Sequence, residues 1–96
     1  HYQRTAGDYS GWGLHIWNSS GNAADTTGIE WNAPLMPAGT DAFGKYFDIP
    51  LLADTGTIGY LFHKGDEKDH GGADQSFVLD GSSAIWRKQG DAITYT

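Results

Sequence analysis

Trp12-Gly13-Leu14-His15-Ile16-Trp17 is the stretch on which the reading of this chain turns. Successive side chains of a β-strand point to opposite faces. Trp12, Leu14 and Ile16 therefore share one face, and His15 and Trp17 share the other. The first set reads as core. The second sets a large aromatic beside an imidazole on a face turned toward water, although a small protein has every reason to bury a tryptophan. Such a pair points to a flat ligand platform, unless the loop from Asn18 to Trp31 folds back and covers it. Trp31 is then either a second platform or the cover itself.

Further strand-like runs lie on both sides, between clusters of glycine, aspartate and asparagine. His1 to Arg4 precedes the platform strand, and Trp31 to Leu35 is a short edge piece ending at Pro34. Gly44 to Ile49 is stopped by Pro50, and Thr57 to His63 carries the strongest β pattern. Ser76 to Leu79 leads into Asp80-Gly81, read as a hairpin turn, with Ala84 to Lys88 returning and Ile93 to Tyr95 closing the chain. No stretch repeats apolar residues at the helical period. About seven short strands in 96 residues predict an all-β protein, an antiparallel immunoglobulin-like β-sandwich forming a single domain over residues 1–96. Trp12 and Trp86 are expected in its core.

Composition narrows the function. Fourteen glycines with four tryptophans, five tyrosines and four phenylalanines suit tight turns and a few large core anchors. A net charge of −6 argues against a nucleic-acid surface or an anionic membrane as partner, since both need clustered Lys and Arg. No apolar run approaches the roughly 20 residues of a membrane span, and no signal-peptide hydrophobic region is present. There is no cysteine, so neither a disulfide nor a thiolate metal site is available. The abrupt opening at His1-Tyr2-Gln3-Arg4 suggests a module of a longer polypeptide. Nothing demands more than a monomer. Asn18-Ser19-Ser20 is a formal glycosylation sequon.

The chemistry-bearing segment is Lys64 to Asp74. A sugar ring has an apolar C–H face that matches an indole, and a hydroxyl rim that matches charged side chains. Lys68 with Asp69 or Asp74 beside an aromatic platform suits a vicinal diol, lysine donating and aspartate accepting. The plain alternative is a solvated turn. His63, Asp66, Asp69 and His70 mix imidazole and carboxylate, but their spacing matches neither a zinc pattern nor an EF-hand. No nucleophile elbow, phosphate loop or carboxylate motif across a cleft appears, so an enzyme is not expected.

His1-Tyr2-Gln3-Arg4 and Gly7-Asp8-Tyr9-Ser10-Gly11-Trp12-Gly13-Leu14-His15-Ile16-Trp17 resemble the opening of the family 41 carbohydrate-binding modules, found near the N-termini of bacterial pullulanases. The likeness continues through Gly39-Thr40-Asp41-Ala42-Phe43-Gly44-Lys45-Tyr46-Phe47-Asp48. It then runs from Gly59 through Tyr60-Leu61-Phe62-His63-Lys64-Gly65-Asp66-Glu67-Lys68 to Asp69, and through Asp74-Gln75-Ser76-Phe77. It spans essentially the whole chain.

The resemblance implies a non-catalytic β-sandwich that binds α-glucans: pullulan, amylopectin, glycogen and maltooligosaccharides. It implies an attached α-glucan-degrading enzyme of pullulanase type, an extracellular or cell-surface bacterial location, and no cofactor. In that family two aromatics at spacing two stack on adjacent glucose rings, and a lysine and an aspartate from a later loop bind hydroxyls. Here those positions fall on His15 and Trp17, and on Lys68 and Asp74, with Asp69 as competitor for the acidic role and Trp31 as an extra contact. Some members carry Trp where this chain has His15, which implies weaker stacking. The alternative function is a structural immunoglobulin-like spacer of a secreted multidomain enzyme.

Overall fold

A computed structural model describes residues 1–81, 84–91 and 93–95, with the side chain of His70 outside that description. Its strands in chain order are β1 (Tyr2–Gln3), β2 (Gly13–Ser20), β3 (Gly39–Thr40), β4 (Lys45–Tyr46), β5 (Thr57–Lys64), β6 (Glu67–Lys68), β7 (Gln75–Val78) and β8 (Arg87–Lys88). Among the described residues one 3₁₀ turn, Asp69–Gly72, follows β6. Two four-stranded sheets result. One runs β3-β4-β1-β8; in the other, β5 pairs β2 along one edge and β6 and β7 along the opposite edge. The all-β sandwich is as expected from the strand pattern.

β2 and β5 are the spine of the second sheet. Each is eight residues long, and they pair antiparallel from Gly13↔His63 to Trp17↔Gly59. Their inward residues Leu14, Ile16, Ile58, Tyr60 and Phe62 are buried with Trp12, Ala23 and Ala24. Tyr2 of the opposite sheet closes this core, its ring stacked on Phe62 with centroids 3.9 Å apart. β5 turns into β6 through the two-residue loop Gly65-Asp66, where Gly65 takes φ of 58°, a conformation glycine adopts without steric cost.

Both sheets are dominated by antiparallel pairs, as expected, with β1 and β8 pairing in parallel. Two expectations need correction. β7 pairs β5 whereas β8 pairs β1, so Asp80-Gly81 begins a crossing between sheets instead of a hairpin. Ser82 and Ser83, within that crossing, lie outside the described residues. Trp86 is half-buried, with its ring stacked on His1, because its neighbour Arg87 takes the inward position at 1% exposure. The Arg87 guanidinium donates there to the Tyr60 and Thr94 hydroxyls, to Gln75 Oε1 and to the Asp91 carbonyl.

Beyond β2 the chain is pinned back onto the sheet. The Asn18 amide donates to the Ala24 carbonyl and accepts from the Ala24 N–H, at 3.0 and 2.9 Å. That amide, the acceptor of the formal sequon, is therefore engaged within the fold. Further on, Leu35 exchanges backbone hydrogen bonds with Leu14, and Pro34 lies against Gly13. A β-carbon at Gly13 would sit 2.6 Å from Pro34 Cγ, so glycine is required for this approach. Trp31 is thereby carried to the His63 end of the sheet's outer face.

Candidate functional site

Register settles which side chains share the outer face of the β2–β5 sheet. His15 and Trp17 from β2 stand level with Leu61 and Gly59 of β5, and Gly13 stands level with His63. On β6, Lys68 is level with His63; on β7, Ser76 is level with Gly59. The face opens at Trp17, whose indole lies across Gly59. A β-carbon at Gly59 would come within 2.6 Å of Trp17 Cζ2 and closer still to Cε2 and Nε1. The missing side chain is what lets the indole lie flat on the sheet.

His15 sits next along β2, its ring 5.8 Å from Trp17 and inclined to it by 37°. Trp31 stands almost perpendicular to His15, at 78° and 5.5 Å. It stacks face to face on His63, with centroids 3.7 Å apart and planes 5° from parallel. The His63 Nδ1 is 2.7 Å from the Gly65 carbonyl oxygen. A carbonyl only accepts, so Nδ1 carries the proton. The Trp31 Nε1–H donates to Asp66 Oδ1 at 3.3 Å, and Lys68 Nζ lies 5.3 Å from the ring centroid. Trp17 and His15 thus form a shallow floor, and Trp31 is a wall at one end of it. Trp31 covers His63 while leaving Trp17 partly open, so it acts both as cover and as aromatic surface.

The charged residues expected at the site divide. Lys68 is exposed, its stem resting near Gly72 and its ammonium at the Trp31 wall. Asp74 is exposed immediately before β7, two residues ahead of Ser76, which stands level with Gly59. It takes part in no hydrogen bond or ion pair among the described residues. Asp69 departs from the expectation. It is only 6% exposed and points into the sandwich, where it accepts from the Tyr2 hydroxyl at 2.7 Å and the Gly90 N–H at 2.9 Å. An inward carboxylate with both oxygens engaged is no rim acceptor, so Asp69 is corrected out of the contact set.

The mixed imidazole–carboxylate loop likewise spreads apart. His63 is capped by Trp31, Asp66 holds the Trp31 indole, Asp69 turns inward, and the His70 side chain lies outside the described residues. No group of three or more metal-ligating side chains occurs among the described residues. A second concave feature, a cleft of about 310 Å³ between the sheets, is lined mainly by inward residues such as Leu14, Phe47, Tyr60, Phe62 and Phe77. It lies on the opposite side of the sheet from the aromatic floor.

Burial, and secondarily the nearby His63 imidazole, lower the pKa of His15 below the usual histidine value. His15 is accordingly neutral at pH 7. Two supporting residues were not anticipated as such: Gly59, which seats Trp17, and His63, which seats Trp31. A glycine inside the strongest β pattern was the available signal for the first, since it marks close approach by another group. The second depends on a loop 32 residues away in sequence.

The bacterial pullanase-associated domain family matches residues 1–96. An alpha-amylase from Streptomyces lividans is 45% identical over 69 residues, which is 72% of this chain and 7% of that protein. The chain therefore spans less than a tenth of that curated relative. A structure of alpha-glucan binding by a streptococcal virulence factor superposes with a TM-score of 0.82 at 26% identity, over all of this chain and 44% of the other. Family 41 carbohydrate-binding modules from streptococcal virulence factors share the fold, with a TM-score of 0.80 at 21% identity over 99% of this chain and 44% of theirs. The chain belongs to the bacterial pullanase-associated domain family.

Proposed function

We propose that this chain is a non-catalytic module that binds α-glucans on the outer face of the β2–β5 sheet. The observation that carries the reading is the aromatic corner there: Trp17 flat over Gly59, His15 beside it and Trp31 upright at the end. An α-1,4-linked glucan curves from ring to ring. Two rings inclined to one another, closed by a wall, follow that curve better than a coplanar strip. Trp17 and His15 stack on neighbouring glucose units, Trp31 meets the next, and Lys68 and Asp74 donate to and accept from hydroxyls at the rim. The alpha-glucan binding named for the structural neighbour supports the same ligand class.

Each stacked ring contributes about 1 kcal/mol beyond the area it buries, and charge-assisted hydrogen bonds at an exposed rim add similar increments. After the cost of association, such a site binds in the micromolar range. Weak, reversible contact suits a module that holds an attached α-glucan-degrading enzyme of pullulanase type on polymeric substrate, outside the cell, and raises its effective concentration there. Maltooligosaccharide, pullulan, amylopectin and glycogen are the ligands of this reading.

Calorimetric titration with maltotetraose, alongside Trp17→Ala, tests it. Saturable binding by the native domain, lost in a variant that keeps its native circular dichroism, is the expected result. Native affinity in Trp17→Ala, or no heat at millimolar sugar, overturns the proposal.

A further inference from the structure

Asp69 is the one buried carboxylate among the described residues, and sugar contact does not use it. Its surroundings are specific. The Tyr2 hydroxyl donates to Oδ2 at 2.7 Å and itself accepts from Arg4 Nη1 at 2.9 Å. The Gly90 N–H donates to Oδ1 at 2.9 Å. Arg4 is held in turn by Asp8 and lies over the Trp12 ring at 3.6 Å. Tyr2 belongs to β1 and Gly90 follows β8, both in the opposite sheet. One carboxylate in the β6–β7 connection is therefore tied to two elements across the sandwich.

Lys68 immediately precedes Asp69 and faces the other way, its ammonium over Trp31. Its Cδ is 3.3 Å from where a β-carbon on Gly72 would stand, so its stem rests on the 3₁₀ turn that Asp69 begins. Moving Asp69 moves both the backbone that carries Lys68 and the surface on which it lies. We propose that Asp69 is a positioning residue for glycan binding, which holds the β6–β7 connection from beneath so that the Lys68 ammonium stands at the Trp31 wall. The inference rests on the α-glucan reading of the outer face and deepens it: the lysine's contact is set from the far side of the protein.

A residue that merely supports the fold would change stability and leave the affinity of the folded fraction alone. A residue that acts through Lys68 loses its effect on affinity once Lys68 is gone. The experiment is maltotetraose calorimetry on the native domain, Lys68→Ala, Asp69→Asn and the double variant, at a temperature where circular dichroism shows each one folded. Asparagine keeps the shape but presents an N–H₂ or one neutral oxygen where the carboxylate had two acceptors. Lys68→Ala is expected to weaken binding about tenfold, one charge-assisted hydrogen bond being lost. Asp69→Asn is expected to weaken it by a comparable factor, and the double variant no more than Lys68→Ala alone.

Native affinity in Asp69→Asn, with Lys68→Ala weakened, overturns the inference and leaves the glycan site standing. Multiplying effects in the double variant overturn it as well. Native affinity in Lys68→Ala removes the lysine contact from the proposed function, and the inference falls with it. Should Asp69→Asn fail to fold, Tyr2→Phe removes one of the same hydrogen bonds while keeping the ring stacked on Phe62. It is expected to weaken binding only when Lys68 is present; unchanged affinity, or the same loss without Lys68, overturns the proposal.

Discussion

Replacing Gly59 by alanine separates the seating of Trp17 from the integrity of the fold. The backbone at Gly59 is not among the positive-φ glycines, so alanine adopts it without strain. In a strand interior alanine is favoured over glycine by about 0.5–1 kcal/mol, because glycine loses more conformational freedom on folding. The new methyl, however, would stand 2.6 Å from Trp17 Cζ2 and nearer to two other indole atoms. Carbon atoms rest at about 3.5–4.0 Å, so the indole must withdraw by about 1 Å or more and tilt off the sheet. It gives up part of its packing on β5, which offsets the gain from alanine. Net stability should change by no more than about 1 kcal/mol, or about 4–8 °C in Tm for a domain of this size. Binding should suffer more. A tilted Trp17 no longer stacks beside His15, and losing about 1–1.5 kcal/mol of stacking weakens affinity about five- to tenfold. The assay is maltotetraose calorimetry paired with thermal unfolding of native and Gly59→Ala protein. Native affinity in Gly59→Ala would refute the claim that the flat indole is the binding surface. A drop of several kcal/mol in stability with affinity retained would refute it too, by making Trp17 a fold element.

Two further outcomes follow from the same geometry. Because burial and His63 hold the His15 pKa below its unfolded value, neutral His15 is favoured by the fold; stability should be level above about pH 6.5 and decline as pH falls below it, affinity should decline only further down, below the lowered value of the folded protein, and His15→Gln should abolish both declines. A pH profile of affinity from 4 to 8, read against chemical unfolding at the same values, checks both the sign and the residue. Asn18→Ala removes the two hydrogen bonds that fasten Ala24 and leaves a buried backbone N–H without its acceptor, at a cost of about 1–3 kcal/mol. Urea unfolding measures it, and a loss below about 0.5 kcal/mol would show that the loop is held by other contacts.

The long strands were legible in part. Alternation puts Leu14 and Ile16 on one face of β2, and β5 is rich in β-branched and aromatic residues. β2 runs on to Ser20, however, through the polar residues from Asn18 that read as loop. The remaining strands have two to four residues, too few for a period to register. Asp80-Gly81 marked a change of direction, but a turn dipeptide carries no information on which sheet receives the next strand. Trp86 was expected inside because it stands in a strand-like run with an apolar neighbour, Ala84, two residues away. Arg87 takes the inward position instead because Tyr60, Thr94, Gln75 and the Asp91 carbonyl converge on its guanidinium. Tyr60 lies 27 residues away and the opposite sheet brings it there, so no local pattern could show it.

The site divides along the same line. His15 and Trp17 belong to one strand, and their shared face is a consequence of strand geometry alone. Asp69 and Asp74 belong to a connection with no period, and there composition offers two equivalent carboxylates. What distinguishes them is distant: a tyrosine hydroxyl 67 residues away and a backbone N–H 21 residues away draw Asp69 inward. Burying a carboxylate is costly unless donors meet its oxygens. The orientation of Asp69 is therefore decided by β1 and β8, not by its own neighbours. Asp74 has no such donors among the described residues and remains with the solvent. The exposed aspartate keeps its oxygens in solvent, and the buried one is tied across the sandwich.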